Sequence, residues 1–183
     1  MSRHMLRRAI KLNNLQEVER ILETSGSQSD DVINDFAADD CLLDVVFCNT
    51  QKESPIFDAI RTGNTRMVEV LIEHGCDLTC RDRKRGASVV HACALQKNVA
   101  MLELILNHTE PDVVNKTDRN GRTALHYLSM ETNNNPDSET LQILKLLISR
   151  MDTNTMTSRD YKNKTCEDYA MANSNTWFIE ALH

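Results

Sequence analysis

Apolar residues recur along this chain in short runs at helical spacing, separated by polar joints. Met67, Val68, Leu71 and Ile72 stand at i, i+1, i+4 and i+5, the pattern of one buried helix face. Ahead of them Ser54-Pro55 opens another helix, with a hydroxyl to cap it and a ring whose φ is already set for the first turn. Gly63 breaks the chain between the two, and Gly75 supplies a stop after the second. Four of the five glycines (Gly63, Gly75, Gly86, Gly121) fall at such joints, so the joints are spaced by design of the sequence and not by chance. The pattern predicts helices near residues 5–12, 14–23, 55–62, 65–74, 89–96, 99–108, 124–130, 139–150, 166–172 and 175–181.

The helix pairs repeat. An offset of 34 lays Ser88 on Ser54, Asn98 on Asn64, Met101 on Met67 and Ile105-Leu106 on Leu71-Ile72. A further offset of 35 carries Ser88 to Thr123 and His91 to His126. A weaker copy, offset by 50, lays Leu6 on Ile56, Asn14 on Asn64 and Ile21-Leu22 on Leu71-Ile72, and a last copy begins at Thr165. A fixed period of this length is the signature of stacked supersecondary units. The units run at about 5–24, 53–84, 86–119, 121–152 and 163–183, with an insertion at 25–52 and a polar loop insertion at 131–139. Leu71 and Leu104 are both expected between stacked repeats.

The stretches SPIFDAIRTGN, EHGCDLTCRD and NGRTALHYLS resemble the ankyrin repeat, and the likeness extends over about residues 5–22 and 53–180. The resemblance implies an all-α solenoid of four to five helix pairs with short hairpin loops and degenerate end repeats. It also implies L-shaped units whose hairpins and first helices form a concave face that holds partner proteins. In that pattern Asp58 stands where the family has His, and Lys97-Asn98 replaces an expected Gly. The imidazoles of His91 and His126 are then structural, bonding a neighbouring turn.

Composition narrows the function classes. Aromatics are 4% of the chain against 40% hydrophobic residues, which suits an aliphatic helix-on-helix core. The net charge of −6 argues against a nucleic-acid partner, and no apolar run is long enough for a membrane span. The first ten residues lack the apolar core of a signal peptide, so the six cysteines are expected as reduced thiols in the cytoplasm or nucleus. His74, Cys76, Cys80, His91 and Cys93 lie close in sequence, but without a paired Cys-x-x-Cys no metal is expected. No nucleophile or phosphate-loop motif occurs, so neither catalysis nor a cofactor is expected.

What remains is charge placement. Basic residues recur at three successive expected hairpin tips, and the partner-binding candidates are Arg81, Arg83, Lys84, Arg119, Arg159 and Lys162. With tips about 10 Å apart, as packed elements are, they would form a ridge for an acidic or phosphorylated segment of another protein. The insertion holds six aspartates and no basic residue between 30 and 44, interleaved with apolar side chains, and Phe36 and Phe47 are its candidate contacts. The function expected is a non-catalytic protein-binding module. The alternative is a dedicated regulatory or inhibitory subunit, for example of a cell-cycle protein kinase or a transcription factor.

Overall fold

The computed structural model describes residues 2–25, 54–131 and 136–183. The chain divides into two compact units, Met1–Arg83 and Lys84–His183. Phe36, Phe47 and nearly all of the acidic insertion lie outside the described residues.

The first unit holds two helix pairs, α1 (Ser2–Lys11) with α2 (Leu15–Ser25) and α3 (Pro55–Thr62) with α4 (Thr65–Glu73). α1 packs on both α2 and α3, and α2 touches α4, so the pairs stack first helix on first helix and second on second. Leu6, Ile10, Val18, Leu22, Ile56, Phe57, Ile60, Met67 and Leu71 fill the space between them. The turn inside each pair is built alike. Asn13 and Gly63 both take positive φ, and the next residue caps the second helix: the Asn14 side chain accepts from Glu17 N at 3.2 Å and that of Asn64 from Met67 N at 3.1 Å.

The second unit holds α5 (Val89–Gln96) with α6 (Val99–Asn107), α7 (Ala124–Ser129) with α8 (Ser138–Arg150), and α10 (Cys166–Ala172) with α11 (Thr176–Leu182). α7 lies between α5 and α10, and α8 packs against α6 and α11. A short α9 (Thr153–Met156) and a 3-10 turn at Pro111–Asn115 join the pairs, and neither is foreseen by apolar periodicity. Lys97 replaces Gly in the turn after α5 and still takes φ 56°, with Asn98 capping α6 through Met101 N at 3.0 Å. α8 starts one residue earlier than expected, because the Asp137 side chain accepts from Thr140 N at 2.7 Å and so brings Ser138 into the helix.

Two expectations about packing need correction. Leu71 is fully buried, but Leu104 is only half-buried. The residue that an offset of 34 places on Leu71 is Ile105, and Ile105 is the one in the core. The same offset aligns Phe57, not Asp58, with His91. Phe57 is an apolar core residue, while Asp58 accepts from Arg7 Nε at 2.8 Å and from Arg61 at 2.6 Å, a buried carboxylate held by two guanidinium groups.

Candidate functional site

In the second unit the turns between helix pairs share one construction. In the hairpin at 118–122, Asp118 N donates to Arg122 O at 2.8 Å, and the Asp118 carboxylate accepts from the Asn120 and Arg122 amides at 2.8 and 2.9 Å. The Tyr127 hydroxyl completes it, donating to Asp118 Oδ2 at 3.0 Å. The hairpin at 160–164 repeats every bond with residues 42 further along. Asp160 N donates to Lys164 O at 2.9 Å, the carboxylate accepts from the Lys162 and Lys164 amides at 2.8 and 3.1 Å, and the Tyr169 hydroxyl donates to Asp160 Oδ2 at 2.7 Å. Burial alone would raise the Asp160 pKa. The bonds from Tyr169, the two amides and Arg122 outweigh burial and bring it down to about 2.

The hairpins are tied to one another. Arg119 N donates to Arg85 O at 2.7 Å, and Tyr161 N donates to Asn120 O at 2.9 Å, so each hairpin hangs from the one before it. These are direct backbone bonds between successive hairpins, and two glycines lie under the residues that make them. A Cβ on Gly86 would lie 2.7 Å from Arg119 Cγ, and one on Gly121 would lie 3.0 Å from the Tyr161 ring. Both glycines also have positive φ, 67° and 76°, so any other residue there meets both backbone strain and crowding.

The histidines bridge the same layers. His91 Nδ1 accepts from Ser88 N at 3.2 Å and His91 Nε2 contacts Arg122 O at 2.9 Å; His126 relates in the same way to Thr123 N at 3.2 Å and Lys164 O at 3.2 Å. Because a carbonyl only accepts, the ring proton sits on Nε2 in both. Burial holds His126 below the usual histidine range, which fits a neutral structural imidazole. In the last pair Asp168 takes the corresponding place, accepting from Thr165 N at 2.9 Å and pairing outward with Arg159.

The basic candidates are placed as follows. Arg81 is exposed and Arg83 half-buried at the end of the first unit; Lys84 is exposed at the start of the second. Arg119 and Lys162 are exposed on consecutive hairpins. Arg159 is exposed but already engaged, donating to Asn163 O at 2.8 Å and pairing with Asp168 at 3.4 Å, so it clamps its own hairpin. Arg122 likewise pairs with Asp160 at 3.3 Å and lies over the Tyr169 ring at 5.7 Å. Sequence reasoning missed Tyr161, an aromatic ring 82% exposed at a hairpin otherwise made of charged and polar residues. Its only sequence signal is the match of DYKNKTCEDY to DRNGRTALHY.

The thiols that are described are sheltered. Cys76, Cys93 and Cys166 are buried and Cys80 is half-buried; burial pushes the Cys80 thiol up to about 12 and Cys166 to about 11. Among the described residues no group of three His, Cys, Asp or Glu side chains could hold a metal ion, and no helix is long and apolar enough to cross a membrane. Thiolates are the reactive and metal-binding form. Alkylation of the native protein, followed site by site by mass spectrometry, should therefore leave Cys76 and Cys93 unmodified until denaturant is added. A strong chelator should leave the melting temperature where it was.

Comparison with protein families gives two matches, to the ankyrin repeat over residues 51–83 and to a model of multiple ankyrin repeats over residues 90–148, together about half of the chain. Comparison with curated proteins gives no match.

Proposed function

We propose that this chain, which belongs to the ankyrin-repeat family, binds an acidic segment of another protein through the hairpins and first-helix face of its second unit. Ankyrin repeats are generally protein–protein interaction modules, and the family is generally non-catalytic. The observation that carries the finer reading is the sorting of charge on the tied hairpins. Asp118 and Asp160 are each 4% exposed, with their oxygens spent on amides and tyrosine hydroxyls, while Lys84, Arg119 and Lys162 stand exposed. A partner approaching these tips meets cations, although the chain as a whole carries −6. Such a row acts mainly on encounter rate and orientation, because single exposed charges contribute little and are screened beyond about 8 Å in physiological salt. Reduced thiols and an intracellular partner, in cytoplasm or nucleus, fit this reading.

The test uses a partner isolated by affinity from native extract. Reversing Lys84, Arg119 and Lys162 together to Glu should slow association at least tenfold and flatten its salt dependence, with little change in melting temperature. Wild-type kinetics across a salt series would show that the tips are only a solvated edge. Stoichiometry separates the two roles: one partner at a fixed ratio marks a regulatory subunit, several at lower ratios an adaptor.

A further inference from the structure

Where the hairpins of the second unit meet its first helices there is a cleft of about 210 Å³, lined by Arg85, Leu95, Arg122, Tyr127, Met130 and Glu131. Its apolar part is open to solvent: Leu95 at the end of α5 is 46% exposed, and Met130, just after α7, is half-buried. The charges around it are already sorted. The Glu131 carboxylate is held by Lys97 Nζ at 2.9 Å, and the Tyr127 hydroxyl is turned onto Asp118. Arg122 is fixed in place, its Nε on Asp160 at 3.3 Å and its Nη2 near the Tyr169 hydroxyl at 3.5 Å. Its remaining terminal nitrogen, Nη1, has no partner among the described residues. Arg85, exposed on the preceding hairpin and bonded to the Tyr127 hydroxyl, brings a second guanidinium to the rim.

We propose that this cleft takes an acidic residue of an extended partner segment, with its carboxylate on Arg122 and Arg85 and a neighbouring aliphatic or aromatic side chain on Leu95 and Met130. The inference rests on the protein-binding reading above and specifies the partner's chemistry. Arg122 is held by Asp160 and Tyr169 before any partner arrives, so little side-chain freedom is lost when a carboxylate binds. Leu95 and Met130 decide between classes of anion. A bare phosphate or a nucleic-acid backbone has nothing to place on an apolar floor, whereas a peptide side chain does. Arginine is among the residues enriched at energetically dominant contact sites, and two guanidinium groups border this apolar floor.

The experiment selects from random twelve-residue peptides displayed on phage, using the full chain as bait. The peptides recovered should carry Asp or Glu within two positions of Leu, Ile or Phe. Leu95→Asp and Arg85→Glu should each weaken a selected synthetic peptide at least tenfold, and Lys145→Glu, at an exposed position of α8 away from the hairpins, should change it little. Both cleft residues are exposed, so melting curves of the variants are expected to match the wild type. As a readout free of mutation, amide shifts on adding the peptide to the wild-type chain should centre on Leu95 and Met130. Peptides sensitive to Lys162→Glu but not to Leu95→Asp or Arg85→Glu would overturn the cleft and leave the hairpin reading standing. Recovery of basic peptides, or of none, would overturn both. Displacement of the peptide by inorganic phosphate at equal concentration would show a bare anion site and also overturn the proposal.

Discussion

Asp160→Ala is expected to lower the free energy of unfolding by about 3–5 kcal/mol, the range for removing one partner from a buried charged network. Asp160 is 4% exposed, and its carboxylate accepts from the Lys162 and Lys164 amides, Tyr169 and Arg122. Alanine would leave two amide donors and the Tyr169 hydroxyl without this acceptor, and the half-buried Arg122 guanidinium without its counter-ion. Asp160→Asn keeps one oxygen for the amides and should recover part of the loss. The charge also sets a pH dependence. Because the folded pKa of Asp160 is lowered from 3.8 to about 2, its contribution is complete above 3.8 and is lost as pH falls through about 2. His126 acts at higher pH with the same sign. Its pKa is depressed from 6.5 by burial, so the folded state favours the neutral ring, and stability starts to fall as pH drops below 6.5. Urea titrations between pH 7 and 2 should show both losses in the wild type and a smaller acid loss in Asp160→Asn, where Asp118, Asp137 and Asp168 are still held below the usual carboxylate range. An unchanged midpoint in Asp160→Ala would show that the network contributes nothing.

The second large effect is expected in the first unit. Leu71→Ala should cost about 2–5 kcal/mol, since a fully buried leucine leaves both a lost transfer energy and a void. Leu104→Ala, at a half-buried position, should cost about 1 kcal/mol, near the average for a point substitution. In a repeat protein, stability is approximately a sum over units and their interfaces. Transitions followed by more than one probe would show whether the first unit melts ahead of the rest in Leu71→Ala. Equal midpoints for the two leucine variants would mean that the helix register is wrong.

The helices were legible because each pair writes its own boundaries. Ser54-Pro55 and Asn64 open helices, and Gly63 and Gly75 close them. An offset of 34 or 35 then reveals the copies. The tie between hairpins was not legible, for a definite reason. Between Asp118 and Asp160 the spacing grows to 42, because the loop after α7 is enlarged, and a search at the shorter period passes over the Asp–Tyr pairs. Counting basic residues also overstated the free charge. Arg159 and Arg122 find carboxylates 9 and 38 residues away, at Asp168 and Asp160, and no local pattern announces pairing over the longer distance. The short helix at Thr153–Met156 buries none of its residues, so it left no apolar rhythm to read.

The glycine position of the hairpins bears on how such a stack can be rebuilt. Gly86 and Gly121 are sockets: each accepts the side chain that the following turn lays across it. The third hairpin puts Asn163 there, at φ 60°. Asparagine adopts that backbone conformation more readily than most residues do, but it keeps a Cβ where Arg119 and Tyr161 each rest over a bare Cα. The three turns are therefore not interchangeable parts. A cassette copied from the middle hairpin carries a socket on one side and a plug on the other, and it can be spliced wherever Gly86 or Gly121 waits to receive it. Placed after Asn163 the same plug would meet a Cβ that Gly86 and Gly121 lack.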